Sequence, residues 1–424
     1  MNMNIGAPRG TVDLLPEDTR KWQYVEEKIK SICEAYHYEE IRTPMFEHTE
    51  IFQRSVGDTT DIVQKEMYTF NDRGGRSLTL RPEGTASVAR AYVQNKLYGD
   101  PNQPHKLFYF MELFRYERPQ QGRMRQLHQF GVEVLGARNP AIDVEVIDLA
   151  MTIYRTLGLR SLRLVINSLG DKESRKAYRE ALIKHFTPHI DSLCKDCQLR
   201  LEQNPLRVLD CKKDADHPAM KDAPSILDFL NDQSRKYFEE VLELLEEIGI
   251  DYDVDPNLVR GLDYYNHTAF EIMSEAEGFG AITTLAGGGR YDGLIEELGG
   301  PDTPGIGFGM GIERLLLALE AENIDLPIDQ SLDCYLVTMG DVPQKVIFKL
   351  VHELRQNGIQ IDRDYQGRKV KAQFKAANRL HAKYVLVLGE EELSKQVINV
   401  KHMETGNQKE VKLSELVQTL KEKL

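Results

Sequence analysis

The hydrophobic pattern changes period between residues 107 and 135. Residues 107–114 are apolar and aromatic, and beyond a polar loop Gln129, Gly131, Glu133 and Leu135 alternate with Phe130, Val132 and Val134. Extended runs on both sides of a loop containing Pro119 and Gly122 predict a β-hairpin. Elsewhere the period is helical. Trp22, Val25, Ile29, Ile32, Cys33 and Tyr36 make one stripe, preceded by Glu17 and Asp18, which suit a first turn. Residues 143–157 predict a second helix, with Val144, Ile147, Leu149, Ala150, Ile153 and Leu157 apolar, and 162–169 a buried strand. Residues from about 171 to 250 read as helical and highly charged, with helices over 172–186 and around Tyr237, Val241, Leu244, Leu245 and Ile248.

Gly and Pro mark the remaining boundaries. Residues 77–85 read as a strand that turns into a helix running through about Lys96, with Pro82 and Gly84 marking the change, so Glu83 and Thr85 sit at a strand-to-helix junction. A strand near 41–47 is halted by Pro44. A Gly-rich strand from Gly305 feeds an apolar helix carrying Glu313 and Arg314. Residues 325–330 read as a linker. Beyond them the order is β-α-β-α-β over 334–339, 342–356, 359–364, 370–380 and 384–388, closed by a hairpin around Gly406 and a final helix.

Composition narrows the class. Of 424 residues, 41% are apolar and 29% charged, as in a soluble globular protein, and no stretch approaches the roughly 20 apolar residues of a membrane span. The first residues show no signal-peptide pattern, and five Cys favour a reducing cytoplasm over a disulfide framework. The net charge of −13 argues against a generally basic nucleic-acid binder, but it is uneven. From Ser331 onward, 16 Lys and Arg outnumber 12 Asp and Glu. A basic end on an acidic body is compatible with local docking of a polyanion.

The hairpin carries the candidate chemistry. Its first strand ends in Arg115-Tyr116-Glu117-Arg118, and its second returns with Gln129 and Glu133 on one face. Unpaired buried polar groups are costly, so that face needs a partner. Arg115 and Arg123 offer planar cationic forks suited to phosphate oxygens. The residues point to a floor on which an anion and a small polar ligand lie side by side.

Phe114-Arg115-Tyr116-Glu117 and the basic loop after it resemble motif 2 of the class II aminoacyl-tRNA synthetases, and the best match is the histidine–tRNA ligases of bacterial type. The likeness covers nearly the whole chain. The segment around Ile41-Arg42-Thr43-Pro44 resembles motif 1, which forms the dimer interface. Gly309-Met310-Gly311-Ile312-Glu313-Arg314 resembles motif 3. Arg260-Gly261-Leu262-Asp263-Tyr264-Tyr265 and Ala286-Gly287-Gly288-Gly289-Arg290-Tyr291 resemble the two histidine-specific signatures. The second reads as a Gly-rich loop: three glycines let backbone approach a ligand closely, and no Gly-Lys-Ser/Thr follows to make it a Walker loop.

The resemblance implies an α+β catalytic domain over 1–325, built on an antiparallel sheet flanked by helices, with a helical insertion at about 171–250. It implies an α/β anticodon-binding domain over 331–424. It further implies ATP-dependent conversion of L-histidine to histidyl-adenylate and transfer to the 3′ end of tRNA(His), by a cytoplasmic homodimer using Mg²⁺ with ATP. Arg260 and Arg115 are the implied catalytic residues. Glu83, Thr85, Gln129, Glu133, Tyr264 and Tyr265 would bind histidine, with Tyr264 either on the pocket edge or on the other face. Arg115, Glu117, Arg123 and Arg314 would bind ATP, with Leu127 where some relatives stack an aromatic on adenine. The loop 118–125 would read the acceptor end of the tRNA. Arg363, Arg368, Lys369, Lys371 and Lys375 would lie in the anticodon domain.

Cys194, Cys197, Cys211 and His217 leave one question open. A Cys-x-x-Cys pair followed by Cys and His can bind zinc, but the spacing matches neither a finger nor a ribbon, and a helix would put the first two thiols on one face anyway. The reading assigns no metal. Three rivals remain: a histidine-sensing regulatory paralogue of the same fold, a ligase for proline, threonine or glycine, and an unrelated nucleotide-binding module. The first generally lacks a C-terminal domain and the ATP-contacting arginines, and the second lacks the Arg260–Tyr265 signature.

Overall fold

The computed structural model describes residues 5–424 except 58, 59, 61, 210, 212, 260, 261, 278 and 280–282. The described chain divides into two compact units, Met1–Leu326 and Pro327–Leu424.

The first unit is organised by an eight-stranded sheet. Its spatial order is Glu39–Glu40, His105–Phe114, Gln126–Leu135, Gly305–Gly311, Thr284–Arg290, Asn266–Ser274, Leu162–Ser168 and Asp253–Val254. The six inner strands pair antiparallel, as the sequence predicts. The two-residue margins pair parallel, which makes the sheet mixed. The predicted hairpin forms, with His105 opposite Leu135 and Phe114 opposite Gln126.

Alternation divides the sheet's side chains between two faces. Phe130, Val132, Val134, Ile306, Phe308, Met310, Phe270 and Ile272 enter the main core. That core is closed by helices Pro16–Ala35, Pro140–Thr156, Asp232–Glu247 and Ile312–Ala321. Each such side chain fully withdrawn from water contributes roughly 1.5–3 kcal/mol. The opposite face carries Tyr109, Tyr264, Tyr265 and Tyr291 in a smaller cluster beneath helix Thr85–Gln94.

Two sequence expectations change. The strand expected across 41–47 is split into Glu39–Glu40 and Phe46–His48. Pro44 has no N–H to give a ladder, and the buried Arg81 instead takes the Thr43 and Pro44 carbonyls through Nη1, at 2.9 and 3.3 Å. The charged stretch at 171–250 also divides. Helices Lys172–Phe186 and Lys195–Gln203 share a core of their own with Leu206, Val208, Ile226 and Leu230. The last helix, Asp232–Glu247, turns Phe238, Val241 and Leu245 into the main core.

The second unit is a five-stranded sheet in the order Ile361–Arg363, Cys334–Thr338, Tyr384–Leu388, Val397–His402 and Gln408–Lys412. The first three strands are parallel and the last two antiparallel. Helices Gln344–Gln356 and Val370–Arg379 make the crossovers. None of the described helices is long and apolar enough to cross a membrane.

Candidate active site

A cavity of about 200 Å³ opens on the face of the sheet away from the main core. Its lining includes Glu83, Thr85, Gln129, Tyr264 and Tyr265 together with Arg115, Glu117, Arg123 and Arg314. The sequence-predicted residues are therefore brought together. Arg260 lies outside the described residues, as does Gly261.

Glycines make the floor. On strand Gly305–Gly311 the even-numbered Ile306, Phe308 and Met310 face the core, which leaves Gly305, Gly307, Gly309 and Gly311 on the cavity face. A Cβ on Gly309 would sit 2.6 Å from Gln129 Nε2, and one on Gly307 would collide with Glu133 Oε2. The missing side chains are thus the space into which Gln129 and Glu133 fit. The triplet Gly287-Gly288-Gly289 departs from expectation. It lies inside strand Thr284–Arg290, not in a loop. A Cβ on Gly288 would strike the Gly307 carbonyl, so that glycine serves strand packing, while Gly287 borders the cavity.

Glu133 lies directly below the lining and is 1% exposed. Three hydroxyls donate to its carboxylate: Thr85 Oγ1 at 2.7 Å and Tyr109 at 3.1 Å to Oε1, and Tyr291 at 2.5 Å to Oε2. Burial pushes its pKa up to about 8; the Tyr291 and Thr85 hydrogen bonds oppose the shift, and neighbouring Glu83 adds to it. Gln129 Nε2 donates to the Tyr109 hydroxyl at 3.1 Å. Neither Tyr109 nor Tyr291 is given a role from sequence: Tyr109 lies in an apolar run and reads as core, and Tyr291 enters only as the end of the second signature. A signal exists for Tyr109. It pairs across the hairpin with Gly131, between Gln129 and Glu133, and its ring fills the space left by Gly84 and Gly131.

At the strand-to-helix junction the two polar residues divide the work. The Glu83 carboxylate accepts the N–H groups of Thr85 and Ala86 at 2.7 and 2.8 Å, so it caps the helix. Thr85 is the first helical residue and sends its hydroxyl to Glu133. Burial raises the Glu83 pKa.

Tyr264 and Tyr265 precede strand Asn266–Ser274 instead of starting it. Strand alternation therefore does not apply to them, and both line the cavity, with ring centroids 4.7 Å apart.

On the basic side, Glu117 faces Arg115 at 3.9 Å and Arg123 at 3.6 Å. Arg115 Nε donates to the Pro82 carbonyl at 2.7 Å. Arg314 is held by carbonyls, with Nε on Gly122 at 3.0 Å and Nη1 on Thr284 at 2.8 Å. Burial lowers its pKa, and Arg123 and Arg115 lower it further. Its neighbour Glu313 turns to His128 Nδ1 at 2.7 Å. Leu127 borders the cavity as an aliphatic surface.

Comparison with known proteins identifies the family. A family model described as histidyl-tRNA synthetase matches residues 10–315, and an anticodon binding domain model matches 333–423. The chain is 69% identical to a histidine–tRNA ligase of Oceanobacillus iheyensis, over 100% of this chain and 98% of that one. It is 66% identical to that of Anoxybacillus flavithermus, over 99% of both. The crystal structure of apo S. aureus histidyl-tRNA synthetase superposes with a TM-score of 0.86 at 51% identity, covering 98% of this chain and 100% of that one. This chain belongs to the histidyl-tRNA synthetase family.

Proposed function

We propose that the chain activates L-histidine with ATP to histidyl-adenylate and transfers the histidyl group to the 3′ end of tRNA(His). The observation that carries this reading is one cavity with two chemistries. Its lining combines carboxylates, an amide and hydroxyls with three arginines, and Arg115 donates to the Pro82 carbonyl next to Glu83.

Histidine occupies the end bounded by Tyr264 and Tyr265. Glu83, Thr85 and Gln129 hold its ammonium and carboxyl groups. Glu133 and Tyr265 take the two imidazole nitrogens. Burial keeps the Glu133 carboxyl largely protonated near neutral pH in the empty cavity, and an imidazole N–H favours its ionised form, which has about four acceptor positions, three of them filled by hydroxyls. Side-chain shifts at Thr85 and Tyr264 on binding open the way to the fourth. A site that pairs both ring nitrogens leaves buried polar groups unpaired when another side chain enters, which is a strong basis for rejection.

The carboxylate of histidine attacks the α-phosphorus of ATP, and pyrophosphate leaves. Arg115 and Arg260 flank the α-phosphate, and Arg123 and Arg314 the outer phosphates, with Glu117 orienting Arg115 and Arg123. Positioning and charge stabilisation carry the rate. Mg²⁺ would accompany ATP as its counter-ion, and Arg115, Arg123 and Arg314 would share in neutralising the phosphates. Leu127 packs on adenine. The loop 118–125 reads the acceptor end of tRNA. In the second unit, Arg363 lies over the exposed Tyr365 ring at 4.7 Å and, with Arg368, Lys369, Lys371 and Lys375, reads the anticodon.

A homodimer fits the exposed Phe46 and Phe70 on the small sheet Phe46–His48, Ser77–Leu80 and Tyr68–Asn71, with the exposed Met45 just before it, and the reading places its work in the cytoplasm. The regulatory-paralogue reading is not favoured, because the arginines and the second unit are both in place. Charging of a tRNA(His) transcript with labelled histidine tests the proposal. Accepted label is expected, and histidine binding without charging would revive the regulatory reading.

A further inference from the structure

Three thiols and a carboxylate converge inside the helical insertion, away from the cavity. Cys194 is the N-cap of helix Lys195–Gln203, and Cys197 lies in its first turn, fully buried. Cys211 and Asp214 come from the segment that follows. Cys194 Sγ is 3.7 Å from Cys211 Sγ, and Cys211 Sγ is 3.6 Å from Asp214 Oδ2. The donor atoms of all four residues lie within 4.8 Å of one another.

These spacings can be compared with those of a bound ion. Zinc–sulfur bonds of about 2.3 Å at tetrahedral angles put two sulfurs about 3.8 Å apart, and a zinc–oxygen bond of about 2.1 Å gives a sulfur–oxygen edge of about 3.6 Å. A disulfide needs about 2.05 Å between sulfurs, and all five cysteines are free. Three soft thiolates and one carboxylate select zinc over magnesium or calcium. Four protein donors with no open position make a structural site, not a catalytic one. His217, the residue that the sequence pattern offers as fourth ligand, is engaged elsewhere: its Nδ1 accepts from the Ala219 N–H at 3.1 Å and its Nε2 meets Ser192 Oγ at 3.0 Å.

We infer that Cys194, Cys197, Cys211 and Asp214 bind one zinc ion that staples the helical insertion. The insertion needs such a staple. Its private core is small, and both Cys197 and Cys211 belong to it. The ion ties the start of helix Lys195–Gln203 to the chain some fifteen residues later. Asn204 at the other end of that helix donates from Nδ2 to Asp263 Oδ1 at 2.9 Å, one residue before Tyr264. The staple therefore also fixes the support of the tyrosine wall.

The test is metal analysis of the full chain purified without chelators. About one zinc per chain is expected. C197S and C211S are expected to lose it, and D214N to hold it at least about tenfold more weakly in competition with a chromogenic chelator. Because the cysteine variants can fail to fold, cobalt exchange into the unmodified chain is the second measurement. A thiolate-to-cobalt charge-transfer band and tetrahedral ligand-field bands are expected. Folded protein that carries no zinc and gives no cobalt bands would overturn the inference. So would a Cys194–Cys211 disulfide in the freshly purified chain, or equal zinc content in every variant. None of these readouts depends on which amino acid the cavity takes.

Discussion

The Tyr109 hydroxyl stands 3.1 Å from Glu133 Oε1, to which it donates, and 3.1 Å from Gln129 Nε2, from which it accepts. It thereby joins two residues four apart on one strand into a single polar device. Tyr109→Phe keeps the ring in its slot and removes the joint. A net hydrogen bond is worth about 1 kcal/mol, so KM for histidine should rise roughly five- to tenfold with KM for ATP unchanged. Steady-state exchange kinetics with each substrate varied would check this. An equal rise in both constants would place the tyrosine in general packing.

Gly307 tests the floor. An alanine methyl there meets both Glu133 Oε2 and the Val132 carbonyl, so the strands must part. Overpacking of this kind costs about 1–3 kcal/mol, and Gly307→Ala should lower the melting temperature and abolish histidine activation. Gly99→Ala, where a Cβ meets nothing within 4 Å, should change neither.

The Glu133 carboxyl makes a pH prediction with a definite sign. Its folded pKa, about 8, lies above the ordinary 4.5, so the folded chain holds a proton that the unfolded chain releases. That contribution to stability is fully present below the unfolded value and is lost as pH rises through about 8. Glu133→Gln removes it. The melting temperature of the unmodified chain should therefore fall more steeply than that of the variant between about pH 5 and about pH 9. Parallel slopes would remove the burial argument.

How far the sequence reached follows from what each residue does locally. The hairpin was legible because alternation survives at its polar positions, and Gln129 and Glu133 were assigned to one face for the same reason. Glu83 and Thr85 were legible as a junction, but not their division of labour, since either side chain can cap. Gly287–Gly289 read as a loop because glycine-rich strands need neighbouring backbones to explain them. Asp214 was invisible among many surface acids, and only the fold brings it to the thiols.

Arg290 and Asp143 are both fully buried and form an ion pair, with Asp143 also accepting from Thr268 Oγ1 at 2.6 Å and Tyr237 at 3.1 Å. Breaking such a pair from one side leaves the buried Arg290 with only Asp292, at 3.3 Å, as a carboxylate partner. Asp143→Asn should destabilise the first unit by about 3–5 kcal/mol, read by chemical denaturation. A loss below about 1 kcal/mol would mean that water reaches Arg290.

Arg314 lines the cavity and donates to two backbone carbonyls, those of Gly122 and Thr284. Arg314→Ala should cut the activation rate by about 10²- to 10³-fold while histidine affinity stays near normal. Calorimetric binding of histidine beside exchange kinetics separates the two. Loss of histidine binding would relocate this residue's role to the other end of the cavity.

Histidine-dependent exchange of labelled pyrophosphate into ATP, without tRNA and with the other amino acids run in parallel, tests the central claim most directly. Exchange with histidine alone is the predicted result. Exchange with a different amino acid would keep the adenylating fold and contradict the assignment of Glu133 and Tyr265 to an imidazole. No exchange with any amino acid would contradict the activity itself.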